Sequence, residues 1–256
     1  MTVELSYAEY GAGPPLVILH GLFGSARNWT SLARHLGETH HVYALDLRNH
    51  GASGWAETMT YEEMAGDVRT FLASHGLEGA AVMGHSMGGK TAMRLALDDG
   101  SLIGRLIVVD IAPVAYSHTH GPMIAAMQGV DLAGATRRGE VDRQLEPHIA
   151  EAPLRSFLLQ NLVAEDGRLR WRINLDALAA NMAVLTGYPD DLEGLSYDAP
   201  AFFLAGAESD YVLPEHHGTI RAFFPQAEID AIEGAGHWVH AEQPRAFLER
   251  IQAYLI

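Results

Sequence analysis

Ala80-Ala81-Val82-Met83-Gly84-His85-Ser86-Met87-Gly88-Gly89-Lys90 decides how this chain reads. Its first four residues are a continuous apolar run, the form of a short parallel strand buried on both faces. From Lys90 to Leu97 the apolar spacing is that of a helix. Between the two, Gly84-His85-Ser86-Met87-Gly88 is a G-x-S-x-G pentapeptide, and strand, turn and helix together make the setting of a nucleophile elbow. The glycines permit the tight turn and the serine hydroxyl is lifted above the sheet. The helix N-terminus offers amide donors to developing negative charge. In a chain with 26 glycines the pentapeptide alone is weak evidence. Its context makes it specific.

Outward from the elbow, strand and helix patterns alternate. Leu16 to Leu19, Val42 to Leu45, Leu106 to Val109 and Ala201 to Leu204 are further short apolar runs, and Val3 to Tyr7 alternates with period two. The clearest helix begins at Thr60, with Glu63 three positions on as a capping box, carries Met64, Val68, Phe71 and Leu72, and stops at Gly76. Such alternation implies an α/β fold with a parallel sheet covered by helices. From Ala112 to Asp198 the pattern is helical, as in Leu175 to Leu185, with no convincing strand. The expected organisation is a core over 1–111 and 199–256, interrupted by a helical cap over 112–198. The cap is expected at the carboxyl edge of the sheet, where ligands bind in open α/β folds.

Two further loops carry chemistry. His20-Gly21-Leu22-Phe23-Gly24 follows the Leu16–Leu19 run, where an oxyanion hole draws its second amide. The backbone N–H groups of Met87 and Leu22 are the expected donors, with Phe23 as the neighbouring alternative. Gly234-Ala235-Gly236-His237-Trp238 follows the strand pattern Glu228 to Ile232, and the chain order nucleophile, acid, histidine selects His237 as general base. Two carboxylates compete as its partner. Asp110 stands just after the Leu106–Val109 run. Asp210 lies one step beyond Ser209, which is three residues after Gly206. The pairs His40-His41, His216-His217 and His118 with His120 lack supporting carboxylates and read as surface residues, so no metal site is expected. Phe23, Trp29, Tyr116, Trp171 and Trp238 are candidates for an apolar pocket wall, and Asp46, Arg48 and His50 for holding loops together.

The bulk numbers exclude classes. With 17 basic and 32 acidic residues the net charge is −15, which argues against a nucleic-acid or anionic-membrane surface. Acidity of this size is also common in ordinary proteins. Absence of cysteine removes disulfides, thiolate catalysis and cysteine-bound zinc. An apolar fraction of 48% supports a sizeable core. No signal-peptide pattern opens the chain and no apolar stretch reaches membrane-spanning length, so a cytoplasmic protein is expected.

Taken together, His20–Gly24, Asp46-Leu47-Arg48-Asn49-His50-Gly51-Ala52-Ser53, the elbow and the His237 loop resemble the α/β-hydrolase superfamily over essentially the full length. Gly84 to Lys90 and Val109-Asp110-Ile111-Ala112-Pro113 are similar to a branch of small-capped carboxylesterases found in bacteria and mitochondria. The expected fold is a mostly parallel sheet of about eight strands with helices on both faces and an inserted helical cap, and the resemblance implies hydrolysis of small acyl esters by a Ser86–His237–acid triad and no cofactor. In that branch the acid falls at Asp110 and the serine at Ser209 supports the histidine. Acyl thioester hydrolysis is the nearest alternative, followed by lyase or perhydrolase chemistry. A non-turnover receptor is the alternative from another class. Dehalogenases and epoxide hydrolases of this fold need a carboxylate where Ser86 stands.

Overall fold

A computed structural model describes residues 2–192 and 194–256. Among them nine strands occur in chain order: β1 (Tyr7–Tyr10), β2 (Pro15–Leu19), β3 (His41–Leu45), β4 (Ala80–His85), β5 (Ile103–Val109), β6 (Leu162–Glu165), β7 (Arg168–Trp171), β8 (Ala201–Gly206) and β9 (Ala227–Ile232). Seven form the main sheet in the order β1-β3-β2-β4-β5-β8-β9, parallel throughout except for β1 against β3. This is seven strands where the sequence suggested about eight. The expected strand at Val3–Tyr7 also begins later, at Tyr7. Residues before it are held by side chains instead: the Val3 amide donates to Asp67 of a helix and the Ser6 amide to the Ser53 hydroxyl of a loop, at 2.8 Å each.

Side-chain alternation along the strands divides the core in two. Val17 and Leu19 of β2 join one apolar cluster, while Leu16 and Ile18 join the other, as period-two geometry requires. The first cluster packs against α2 (Tyr61–His75) and α3 (Met87–Asp98). The second packs against α1 (Thr30–Leu36) and the C-terminal helix Pro244–Leu255. The start of α2 has the capping box read from the sequence. Glu63 N donates to Thr60 Oγ1, Glu63 Oε2 accepts from Thr60 N, and Gly76 closes the helix at φ 64°.

Between β5 and β8 lie α4 (Gly121–Gln128), α5 (Arg138–Leu145), α6 (Ala152–Leu158), α7 (Leu175–Ala180) and α8 (Met182–Thr186). This segment also holds the β6–β7 hairpin, which the sequence reading did not anticipate. Its turn is Asp166-Gly167, both with positive φ (50° and 75°). That dipeptide suits a type I′ hairpin turn. The expected helix over Leu175–Leu185 is two short helices. After β8 follow α9 (His217–Phe223), α10 (Val239–Glu242) and α11 (Pro244–Leu255).

The strand order places the site. The chain passes from β2 to β3 on one side and then lays β4 on the other side of β2. The carboxyl ends of β2 and β4 therefore flank a switch point, where a crevice opens in such sheets. His20–Gly24 and Ser86 stand at those two ends.

Candidate active site

Ser86 lies between β4 and α3 with φ 52° and ψ −118°, a conformation that non-glycine residues rarely adopt. Three of the five non-glycine residues with positive φ among the described residues are Phe23, Ser86 and Asp110, all at the carboxyl edge of the sheet. Close packing around Ser86 explains the flanking glycines. A Cβ at Gly84 would fall 2.1 Å from Gly88 O, and one at Gly88 would fall 2.4 Å from Leu19 O. The Ser86 amide donates to Val109 O at 3.0 Å, tying the elbow to β5.

The structure brings together Ser86, His237 and Asp110. His237 Nε2 is 3.1 Å from Ser86 Oγ, and His237 Nδ1 is 2.7 Å from Asp110 Oδ2. A carboxylate only accepts, so Nδ1 carries a proton and Nε2 is the nitrogen turned toward the serine. Asp110 is fully buried with both oxygens engaged: Oδ1 accepts from Gly206 N at 3.0 Å and Oδ2 also from Ser209 Oγ at 2.5 Å. Asp210, the competing carboxylate, is exposed, and its side chain makes no hydrogen bond or ion pair among the described residues.

Around the histidine are contacts the sequence did not disclose. The Tyr211 ring stacks on His237 at 4.0 Å, and His85 Nε2 donates to His237 O at 2.9 Å. His85 is buried beside His240, which stacks on Trp29. Burial holds His85 well below the usual imidazole range and His240 down to about 3, so both stay neutral. Local sequence carries no sign of these roles, because each partner arrives from a different strand end.

The loop after β2 is locked by the motif after β3. His20 Nδ1 donates to Gly21 O at 2.8 Å and its Nε2 accepts from Leu47 N at 2.9 Å. Burial lowers the His20 pKa to about 4 and that of His50 to about 3, keeping both neutral and able to accept. His50 Nε2 accepts from Phe23 N at 3.3 Å, so the Phe23 amide is engaged. Leu22 N has no hydrogen-bond partner among the described residues. Met87 is the first residue of α3, and its amide is among those a helix leaves without an internal acceptor. Asp46 accepts from Ala26 N and Ala52 N, while Arg48 pairs with buried Asp67 at 2.6 Å.

Two cavities meet at Ser86. One is lined by Phe23, Trp29, Met123, Phe157, His237 and Trp238 among others, the second by Tyr61, Met87, Lys90 and Tyr116 among others. Trp171 lies elsewhere, with its indole N–H donating to Met127 O at 3.0 Å. His120 corrects the sequence reading. It is half-buried rather than on the surface, lines both cavities, and has its pKa lowered to about 4 by burial. His118 is exposed but holds the Tyr211 hydroxyl at 2.7 Å. Among the described residues no group of three or more His, Asp or Glu is placed to hold a metal ion, and no helix is long and apolar enough to cross a membrane.

Residues 14–244 match the family model described as alpha/beta hydrolase fold. The chain is 42% identical over 251 residues to a mouse (Mus musculus) protein named sn-1-specific diacylglycerol lipase ABHD11, covering 94% of this chain and 81% of that one. It is 38% identical over 242 residues to esterase YbfF of Escherichia coli, covering 94% and 92%. Among solved structures, a marine microorganism esterase superposes with a TM-score of 0.95 at 40% identity, covering 99% of this chain and 100% of that one.

Proposed function

This chain belongs to the α/β-hydrolase family and is a carboxylesterase-type hydrolase, and from that premise we propose that it cleaves small carboxylic esters through an acyl-enzyme on Ser86. The observation that carries the reading is the unbroken run of hydrogen bonds from Ser86 through His237 to Asp110.

In the first half-reaction His237 Nε2 takes the proton of Ser86 as Oγ attacks the ester carbonyl. The Leu22 and Met87 amides receive the oxyanion, and a donor of this kind is worth about 3 kcal/mol of transition-state stabilisation. Collapse breaks the bond to the alcohol oxygen, which leaves with the proton from His237. Water then attacks the acyl-enzyme with His237 as base, and the proton returns to Ser86. Asp110 keeps the Nδ1–H tautomer in place and stabilises the imidazolium. Residues 112–198 serve as a cap, supplying Met123, Leu154 and Phe157 to the cavity that holds His237. Its aromatic and aliphatic wall suits an apolar portion of the ester.

The test is covalent. A serine-directed phosphonate is expected to label the protein once, at Ser86, and Ser86→Ala is expected to abolish hydrolysis of nitrophenyl esters with the circular dichroism spectrum unchanged. Labelling at another serine, or an active Ser86→Ala variant, overturns the assignment.

A further inference from the structure

Lys90 follows Ser86 by one helical turn on α3 and is 1% exposed. Its Nζ donates to the carbonyls of Thr186 at 3.3 Å and Gly187 at 2.5 Å, at the C-terminal end of α8. An ammonium has three donors, so one is left over. Facing it are the rings of Tyr61 from α2, Tyr116 from the segment after β5, and Tyr188 from the segment after α8, at 5.7, 4.8 and 5.8 Å from their centres. All three phenols are held neutral by burial. The nearby imidazole of His118 has its pKa lowered by burial, with the Lys90 charge a smaller contributor. No carboxylate pairs with Lys90 among the described residues. A buried ammonium without a counter-ion is costly, and here it forms part of the wall of a cavity that also contains the nucleophile.

We propose that the Lys90 cavity is an acyl subsite for a short chain ending in a carboxylate, so that the preferred substrates are monoesters of small dicarboxylic acids. The proposal rests on the serine-hydrolase reading above. His237, which protonates the leaving alcohol, lines the other cavity and not this one. Of the two oxyanion donors, Leu22 lines both cavities and Met87 this one alone, so the carbonyl sits where the two meet. The alcohol therefore departs on the His237 side and the acyl chain points to Lys90. Four residues of helix rise about 6 Å, and helical side chains lean back toward the N-terminus, so about two to four carbons span from carbonyl to carboxylate. A bound carboxylate takes the free ammonium donor and provides the missing counter-charge.

Nitrophenyl hydrogen glutarate and nitrophenyl valerate share an acyl length and differ in the terminal charge. Wild-type kcat/KM is expected to favour the glutarate ester by at least about tenfold below neutral pH, the scale of one charge-assisted hydrogen bond. Because kcat/KM reports the free enzyme, and burial lowers the Lys90 pKa to about 7, that preference should shrink as pH rises past neutrality. Lys90→Met should remove it. The wild-type titration stands by itself if that variant does not fold. Equal rates for the two esters at every pH, or a Lys90→Met enzyme that keeps the preference, overturn the subsite and leave Lys90 as a latch between α3 and α8. Valerate turnover that depends on Ser86 would in that case keep the hydrolase reading intact. Hydrolysis of neither ester overturns both.

Discussion

At the scale of the residue, the acid is the sharpest test, because two carboxylates competed in the sequence and only one meets the histidine. Asp110→Asn can donate to Nδ1 and so stabilise the wrong tautomer of His237. The equivalent change in a serine protease lowers turnover about 10⁴-fold, and a loss of that order is expected here. Asp210→Asn should stay within a few fold of wild type, since that side chain is exposed and unpaired among the described residues. Ser209→Ala removes the 2.5 Å donor to Asp110 Oδ2 and should fall between the two. Turnover of one nitrophenyl ester by the three variants, with folding verified by circular dichroism, decides the matter. A crippled Asp210→Asn beside an active Asp110→Asn would reverse the assignment.

At the scale of the element, the approach of α3 to β2 determines how far Ser86 stands from the Leu22 amide. Gly88→Ala would place a Cβ 2.4 Å from Leu19 O and 2.6 Å from His20 O, both backbone atoms that cannot swing aside. The helix must retreat, so both stability and turnover are expected to fall. Gly66→Ala is the control. It lies inside α2 with nothing within 4 Å of the new Cβ, and it should stabilise by about 0.5–1 kcal/mol through helix propensity. Urea denaturation of both variants measures the contrast, and a Gly88→Ala protein as stable and active as wild type would refute the packing argument. Local signals made α2 legible, because capping box, apolar spacing and terminal glycine agree. The β6–β7 hairpin was missed despite Asp166-Gly167, because its two four-residue strands carry too little periodicity to stand out from the helices around them.

At the scale of the whole molecule, the buried histidines set the acid limit. His20, His50, His85 and His240 are at most 9% exposed, and burial lowers all four below the ordinary value of 6.5. Between their folded and unfolded pKa values the unfolded chain binds more protons, so stability rises with pH. For His20, His50 and His240 that contribution is complete above about 6.5 and is lost as pH falls toward 3 to 4, and the His85 contribution is lost in the same direction. Each histidine adds a slope of up to about 1.4 kcal/mol per pH unit, and four together approach the whole stability of a typical domain within about two units. The melting temperature should therefore drop steeply below pH 6, with several protons taken up on unfolding. A melting temperature that stays flat from pH 7 to 5 would mean that these rings are not held neutral. Substituting one ring, as in His240→Phe stacked on Trp29, should reduce the proton uptake by about one.

What the sequence determined by itself is whatever short-range sterics and capping control. The elbow at Gly84–Gly88, the limits of α2 and the class of fold follow from residues a few positions apart. Tertiary structure decided the rest. His237 meets Asp110 across 127 residues and Ser86 across 151. Those meetings depend on β4, β5, β8 and β9 lying side by side, an order that no local pattern encodes. The same holds for Lys90. Its helical position was plain, but its burial and its lack of a counter-ion exist only once α2, α8 and the segment after β5 close over it.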